Sequence, residues 1–423
     1  MIKLDQRGRG KFKPAPDLAP EEIKKFLLEK IMQEKEVEAV IDLEGELHPQ
    51  QDKFNVVSLF CGAGGLDLGF ELAGLQATVG EKQGLDAFEH SKEEYNKIRS
   101  KSVFHTIFAN DFFKEAIETY RLNVKDSTTV NVLPGDIRKV KQFPKADLVL
   151  GGFPCPGFSG AGPRLIDDER NFLYLQFIRC LTQSDPKIFV AENVKGMMTL
   201  GKGEVFKQIV EDFESVGYKV HYLKAPLNAR DYGVPQLRER VFLVGVRNDI
   251  DFTYEFPFPT HGPGTEQPYE TLESKIGDLR SEPGPYYEGS FSSIYMSRNR
   301  KKDWNEQSFT IQASGRQAPL HPGCPPMRFV EKDKFEFTAP IGEYRRLSVK
   351  EIKRIQTFPD WYEFYPQEAQ LKNGQLDKIY KQIGNAVPVM LARAIALPIA
   401  RYAKKYLEDK AESTASVPVV NSI

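Results

Sequence analysis

The chain is short of cysteine and histidine. Its 423 residues include four cysteines, at 61, 155, 180 and 324, and six histidines. No two cysteines form a C-x-x-C pair and the histidines do not cluster with them. That spacing argues against a zinc site or a disulfide framework, so no metal is expected. Long apolar runs are missing too. Stretches such as Val241–Val246 fall far short of a bilayer span. The first residues carry charge with no apolar stretch behind it, so no signal peptide is expected. These absences lead to the expectation of a soluble, cytoplasmic protein in a reducing compartment, without a membrane partner. An excess of one charge is also lacking: 58 Lys+Arg face 59 Asp+Glu, a net charge of −1. As an average, this speaks against a nucleic-acid binder. What is present is 40% hydrophobic and 28% charged residues, a globular balance that excludes collagen-like, coiled-coil and wholly disordered chains. The length suits one large domain plus a smaller one.

The average charge hides segments. Residues 1–13 carry a net +4 at a glycine-containing tip, and residues 21–45 carry −4. Residues 256–290 are proline-rich and carry −4, whereas residues 291–330 carry +4. Residues 1–53 therefore read as an N-terminal extension, with Ile23, Phe26, Leu27, Ile31 and Val37 at helical spacing toward the main body. From Val56 the texture is α/β. A β-branched run ends in Cys61-Gly-Ala-Gly-Gly, and a helix follows over Leu66–Leu75. Further buried strands are expected at Asp147–Leu150, Ile188–Val190 and Val241–Val246. Helices at Asn171–Leu181 and Val205–Val216 lie between them, giving a mostly parallel sheet covered on both faces. A last helix is expected over Ala392–Tyr406.

Four motifs carry chemistry. The glycine turn after Phe60 lets backbone approach a ligand at a helix N-terminus, and a nicotinamide, flavin or methyl donor would suit it equally. Cys61 reads there as a packing residue. A ribose-binding acid belongs on the next strand. Glu81 has the usual spacing, but Asp111 ends an apolar run and is preferred, which makes residues 76–105 an insertion. Asp136 with Ile137 is suited to an adenine. Next, Leu150-Gly-Gly-Phe-Pro-Cys-Pro-Gly-Phe-Ser follows a strand at its carboxyl end. Two prolines fix Cys155 there, so it can serve as a nucleophile if its pKa is lowered. The apolar strand Phe189-Val-Ala ends in Glu192, a candidate general acid or hydrogen-bonding anchor. Finally, alternation puts Gln236, Arg238 and Arg240 on one face of an extended segment. Two guanidiniums there could clamp a phosphate and a base carbonyl.

In their order, these pieces resemble the cytosine carbon-5 DNA methyltransferase family. The matching strings are FCGAGGLDLGF, GDI, GGFPCPGFS, AENV, QLRER, RRLSVKEIKRIQTFPDWY and KQIGNAVP, and they span most of residues 54–400. The resemblance implies an α/β fold, a Rossmann-like sheet that uses S-adenosylmethionine, with a small target-recognition domain. The implied boundaries are 54–262 for the catalytic domain, completed by 377–409, then 263–376 for target recognition and 410–423 for a tail. It implies that Cys155 adds to the cytosine ring, Glu192 holds or protonates N3, Arg240 binds O2, and Arg238 positions phosphate or cofactor groups. For the cofactor it implies Phe60, Gly62, Gly64, Gly65, Leu66, Asp111, Asp136, Ile137, Pro154, Asn385 and Val387. The stretch MSRNRKKDWNEQSFTIQASGRQAPLHP is similar to the target region of bacterial members that read GGCC. Arg298, Arg300 and Arg316 are then candidate guanine readers, with Ser159 a further DNA contact. Pro156 stands where many members carry Gln. The implied partners are double-stranded DNA, whose target base must flip out, and a cognate restriction endonuclease acting on the same site. A monomer near the bacterial nucleoid is expected. A tRNA cytosine methyltransferase is the alternative, since it shares the fold. A silent DNA-binding module or a dehydrogenase would leave Cys155 or Glu192 without a role.

Overall fold

The computed structural model describes residues 18–33, 41–43, 47–123, 131–154, 169–367 and 371–415. Cys155, Ser159 and the basic tip 1–13 lie outside the described residues. The first half contains α1 (Pro20–Gln33), β1 (Phe54–Leu59), α2 (Gly65–Val79), α3 (Glu81–His90) and α4 (Lys92–Ile98). Then come β2 (Phe104–Asp111), α5 (Lys114–Asn123), β3 (Asn131–Pro134), β4 (Leu148–Gly151), α6 (Glu169–Ser184) and β5 (Ile188–Val194). After them run α7 (Gly196–Thr199), α8 (Glu204–Ser215), β6 (Tyr218–His221), β7 (Leu227–Asn228), β8 (Gln236–Leu237) and β9 (Glu239–Arg247). The last third holds α9 (Leu272–Ile276), β10 (Ser308–Phe309), β11 (Met327–Glu331), β12 (Lys334–Phe337), α10 (Val349–Ile355), α11 (Asn373–Asn385) and α12 (Val389–Ala415).

Eight strands form one sheet in the order β3-β2-β1-β4-β5-β9-β6, with β7 added to β9. The first five run parallel. β9 lies antiparallel between β5 and β6. The order reverses at β1 and β4, which opens a crevice at their carboxyl ends. Strands covered on both faces read as continuous apolar runs; β4 does so, and β1 nearly so, with Asn55 and Ser58 interrupting it.

One face carries α2 and α12. Gly69 of α2 meets α12 so closely that a Cβ would overlap that of Ala392. This explains a glycine inside a buried helix. The stretch Asn373–Ser413 is apolar and long enough by composition to cross a membrane, but 67% of its most apolar window is buried inside the protein. The other face carries α6, α8 and α1. Ile23, Leu27, Ile31 and Leu43 are buried in the same core as Phe177, Phe189 and Phe213. The described part of residues 1–53 is thus a layer of the main body and not an appendage. Apolar spacing identified that contact, but charge texture suggested separation.

Residues 76–105 fold as the end of α2, then α3 and α4. Phe88, Tyr95 and Ile98 join a core that contains Leu72 of α2 together with Leu272, Ile276, Ile352 and Phe358. Residues 76–105 thus pack between the sheet body and the later segments. β10 pairs in parallel with β8, which ties Ser308–Phe309 to the segment before β9.

Candidate active site

The crevice at the carboxyl ends of β1, β2, β4 and β5 is a cavity of about 700 Å³. The turn after β1 forms its floor. Phe60, Gly62 and Gly64 have φ values of 55°, 54° and 79°. Glycine adopts this left-handed region freely, but Phe60 pays of order 1–3 kcal/mol there, so neighbouring contacts must hold the turn. Gly62 N–H donates to the Asp111 carboxylate at 2.9 Å, and the Tyr362 hydroxyl donates to the Ala63 carbonyl at 2.6 Å. Gly65 opens α2. A Cβ there would overlap the Val387 carbonyl oxygen, so only glycine lets the turn after α11 close over the pocket.

The cavity gathers most of the residues expected from sequence. Phe60, Gly62, Gly65 and Leu66 line it from the first turn, and Asp111, Asp136 and Ile137 from the ends of β2 and β3. Pro154, Glu192, Arg238, Arg240, Asn385 and Val387 complete the wall. Gly64 is not on it. It stands behind, against the rings of Tyr120 and Tyr362, and its part is to let the backbone turn. Glu81 is also absent from the wall and pairs with Arg393 on α12. Of the two acids weighed for a ribose, only Asp111 faces the cavity. Burial pushes its carboxyl pKa up, against the bonds from Phe113 and Gly62 N–H. Asp136 is gripped by Arg138 at 2.6 Å; burial raises its pKa, but the Arg138 bonds prevail and hold it below the usual range.

Glu192 and Arg240 meet at the opposite wall. Register places Arg240 opposite Val194, hence diagonal to Glu192 on the same face of the β5–β9 pair. Arg240 Nε lies 2.9 Å from Glu192 Oε1, and both side chains are mostly buried. Gly152 leaves room for this carboxylate, since a Cβ would sit 3.2 Å from Glu192 Oε2. Asn193 donates to the Phe153 carbonyl at 3.0 Å and so holds the stub that leads into Cys155.

Two arginines do not behave as expected. Arg238 is only 1% exposed. Its guanidinium donates to the carbonyls of Ile311, Gly384 and Ala386 at 3.3, 3.0 and 2.9 Å. Segments distant in sequence cover it, so it braces backbone and presents no phosphate clamp. Burial, then the neighbouring Arg240, push its pKa down, and Glu192 opposes them. Arg300 is 4% exposed and donates to the carbonyls of Tyr295, Ile294 and Gln317. A guanidinium so engaged inside the fold is not free to read guanine. Arg298 and Arg316 are exposed, and Arg316 Nε donates to the Tyr287 hydroxyl at 3.1 Å.

Several wall residues were not expected, and Phe112 is the most exposed large apolar side chain among them. Phe112 follows Asp111 on the cavity rim and is 76% exposed, an unusual place for a large aromatic. The signal in the sequence was an aromatic directly after the acid that ends β2. Cys61 is buried with Ala109, Ile117 and Tyr120, as packing requires, and burial pushes its thiol well up.

A five-strand parallel sheet, an antiparallel strand set between β5 and β6, and a glycine-floored cavity at the switch point are the layout of the S-adenosylmethionine-dependent methyltransferase fold. Residues 54–401 match the description C-5 cytosine-specific DNA methylase, and the chain belongs to that family. It is 61% identical over 415 residues to the Type II methyltransferase M.BspRI of Lysinibacillus sphaericus, covering 96% of each chain. It is 59% identical to M.BsuRI of Bacillus subtilis, covering 96% of this chain and 94% of that one. Among solved structures, a putative DNA modification methyltransferase encoded within a prophage (E. coli) superposes with a TM-score of 0.54 at 20% identity, covering 82% of this chain and 98% of that one. A DNMT2 mutant from Spodoptera frugiperda also gives 0.54, at 17% identity, covering 82% and 100%. At that identity these two speak for the fold alone.

Proposed function

We propose that this enzyme methylates carbon-5 of a cytosine within GGCC in double-stranded DNA, and that it protects host DNA from a restriction endonuclease cutting the same site. The observation that carries this reading is the Glu192–Arg240 pair, set on the cavity wall beside the stub that leads into Cys155. Cytosine carbon-5 is a poor nucleophile. The Cys155 thiolate adds to carbon-6 and pushes electrons to carbon-5. Glu192 protonates or holds N3, and Arg240 holds O2, which stabilises the adduct. Carbon-5 then takes a methyl, a base removes the carbon-5 proton, and elimination frees the cysteine. The target base flips into the cavity to reach these groups.

The donor chemistry of the cavity fits S-adenosylmethionine. A buried carboxylate, Asp111, suits ribose hydroxyls. Ile137 and the exposed ring of Phe112 suit the two faces of an adenine, with Asp136 near its amino group. Phe60, Gly62, Gly65, Leu66, Pro154, Asn385 and Val387 surround the methionine end, and Gly64 shapes the turn. When bound, that cofactor supplies an electrophilic methyl group. Arg298 and Arg316 are exposed and would meet guanine edges, and Ser159 is a further DNA contact by resemblance. The reading divides the chain at 54–262 with 377–409 for catalysis and 263–376 for target recognition. The enzyme acts as a monomer in the bacterial cytoplasm, close to the nucleoid.

The test is labelled methyl transfer to duplexes with and without GGCC, and to tRNA. Labelling of the GGCC duplex alone is expected, and Cys155→Ala abolishes it while DNA binding persists. Equal labelling of both duplexes would remove the GGCC assignment. Labelling of tRNA without DNA would overturn the substrate class.

A further inference from the structure

The first turn of the pocket is held in left-handed conformations at Phe60, Gly62 and Gly64, and its shape decides how the cofactor's methionine end is received. The braces behind it differ in origin. Asp111 and Tyr120 come from β2 and α5 of the sheet body, where Tyr120 also donates to Asp67 at 3.0 Å. Tyr362 comes from the segment after α10, far along the chain, and its hydroxyl reaches the Ala63 carbonyl inside the turn itself.

Tyr362 is 4% exposed and firmly seated. Its ring packs on Phe358, Phe364 and Trp361, with centroids 4.8, 5.5 and 5.9 Å away. Trp361 Nε1 donates to the Phe88 carbonyl of α3 at 2.7 Å, which ties this segment to the 76–105 insertion. On its other side, Asn123 of α5 exchanges two bonds with the Glu363 backbone, at 2.8 and 3.0 Å. A hydroxyl fixed from both sides cannot follow the turn if the turn moves; it holds the turn in place.

We propose that Tyr362 is a positioning residue for the cofactor: its hydroxyl, through the Ala63 carbonyl, keeps the Phe60–Gly64 turn in the shape that receives the methionine end. The proposal rests on the reading that this cavity takes S-adenosylmethionine. A strained turn released from one brace populates other conformers, and apparent affinity falls by the fraction that remains competent. The worth of one buried hydrogen bond sets the size, about three- to tenfold.

The experiment is calorimetric titration of S-adenosylmethionine into the full-length chain, with thermal melts alongside. It compares wild type, Tyr362→Phe and Tyr218→Phe. The last removes an equally buried hydroxyl that donates to the Pro186 carbonyl at 3.0 Å, away from the cavity wall. Tyr362→Phe is expected to raise Kd about three- to tenfold. KM for the cofactor rises in parallel, and kcat at saturation is unchanged. Tyr218→Phe loses stability but keeps the wild-type Kd. An unchanged Kd in Tyr362→Phe overturns the proposal, and so does an equal rise in Tyr218→Phe. Should Tyr362→Phe fail to fold, Trp361→Phe, which unseats Tyr362 by losing the Phe88 bond, must weaken cofactor binding; no change there overturns it as well. A wild type that binds no S-adenosylmethionine rejects the cofactor reading, independently of any difference among variants.

Discussion

Replacing Arg238 with lysine separates two roles that a sequence treats as one. Lysine keeps the positive charge but not the planar fork. In the structure the fork serves the Ile311, Gly384 and Ala386 carbonyls at once, and the side chain is 1% exposed. An ammonium on a flexible stem reaches one of the three with good geometry. The carbonyls left without a donor cost about 1–3 kcal/mol each, and neighbouring groups relieve part of it. Gln356 is such a neighbour, since its amide also donates to the Ala386 carbonyl at 3.2 Å. A net destabilisation of about 2–4 kcal/mol is therefore expected. At about 2.1 cal/mol/K of unfolding entropy per residue, a chain this long shifts by about 1 °C per kcal/mol, so Tm should fall by roughly 2–5 °C. Differential scanning calorimetry measures the fall, and fluorescence anisotropy on a GGCC duplex measures DNA affinity beside it. A phosphate clamp would respond in the opposite way: charge retained, Tm unmoved, DNA affinity reduced. That pattern would refute the buried-brace assignment.

Two further predictions concern charge. Asp67 is mostly buried at the start of α2, and burial, against the bonds from Ser58 and Tyr120, pushes its carboxyl up to about 6 from an ordinary 3.8. Such a group binds protons more readily folded than unfolded, so its contribution is complete below about pH 4 and is lost as pH rises through 6. Asp67→Asn should thus gain over wild type by up to about 3 kcal/mol between pH 4 and pH 7, and a difference in melting temperature that stays flat across that range would contradict it. Arg298→Ala should weaken binding to a GGCC duplex by about 1–3 kcal/mol without lowering Tm, whereas Arg300→Ala should lower Tm first. If the two variants behave alike in both assays, the division between exposed and buried arginine is mistaken.

Much of the site was legible because its signals are local. A β-branched run, a glycine turn and an apolar helix fix β1, the turn and α2 within 26 residues. The same holds for Glu192 at the end of β5, and for Arg240, which period-two alternation places on the face that proves to be the inner one. Alternation assigns a face but does not say what will later cover it. Arg238 shares that alternation, and it is buried by Ile311 and by the Gly384–Ala386 turn, more than seventy residues away in sequence. Arg300 is folded inward by Tyr295 and Gln317 of its own region, where basic composition suggested an outward surface. The preference for Asp111 over Glu81 set residues 76–105 apart, but their packing against Trp361 depends on a contact 273 residues apart. Phe112 was missed for another reason: an aromatic at the end of an apolar strand reads as core until its exposure is known.

The meeting of Gly65 with the Val387 carbonyl also sets an order of assembly on the ribosome. About 320 residues separate the floor of the pocket from the turn that closes it. At roughly 5–20 residues per second, the nascent chain carries an open, incomplete pocket for roughly 15–65 s. α12 lies further on still, and without it α2 lacks the helix that packs along it most extensively. A fragment that stops short of residue 387 therefore holds every motif of the β1–β5 half and the Arg240 strand, yet has no closed site. A closed site requires the chain through the Gly384–Val387 turn.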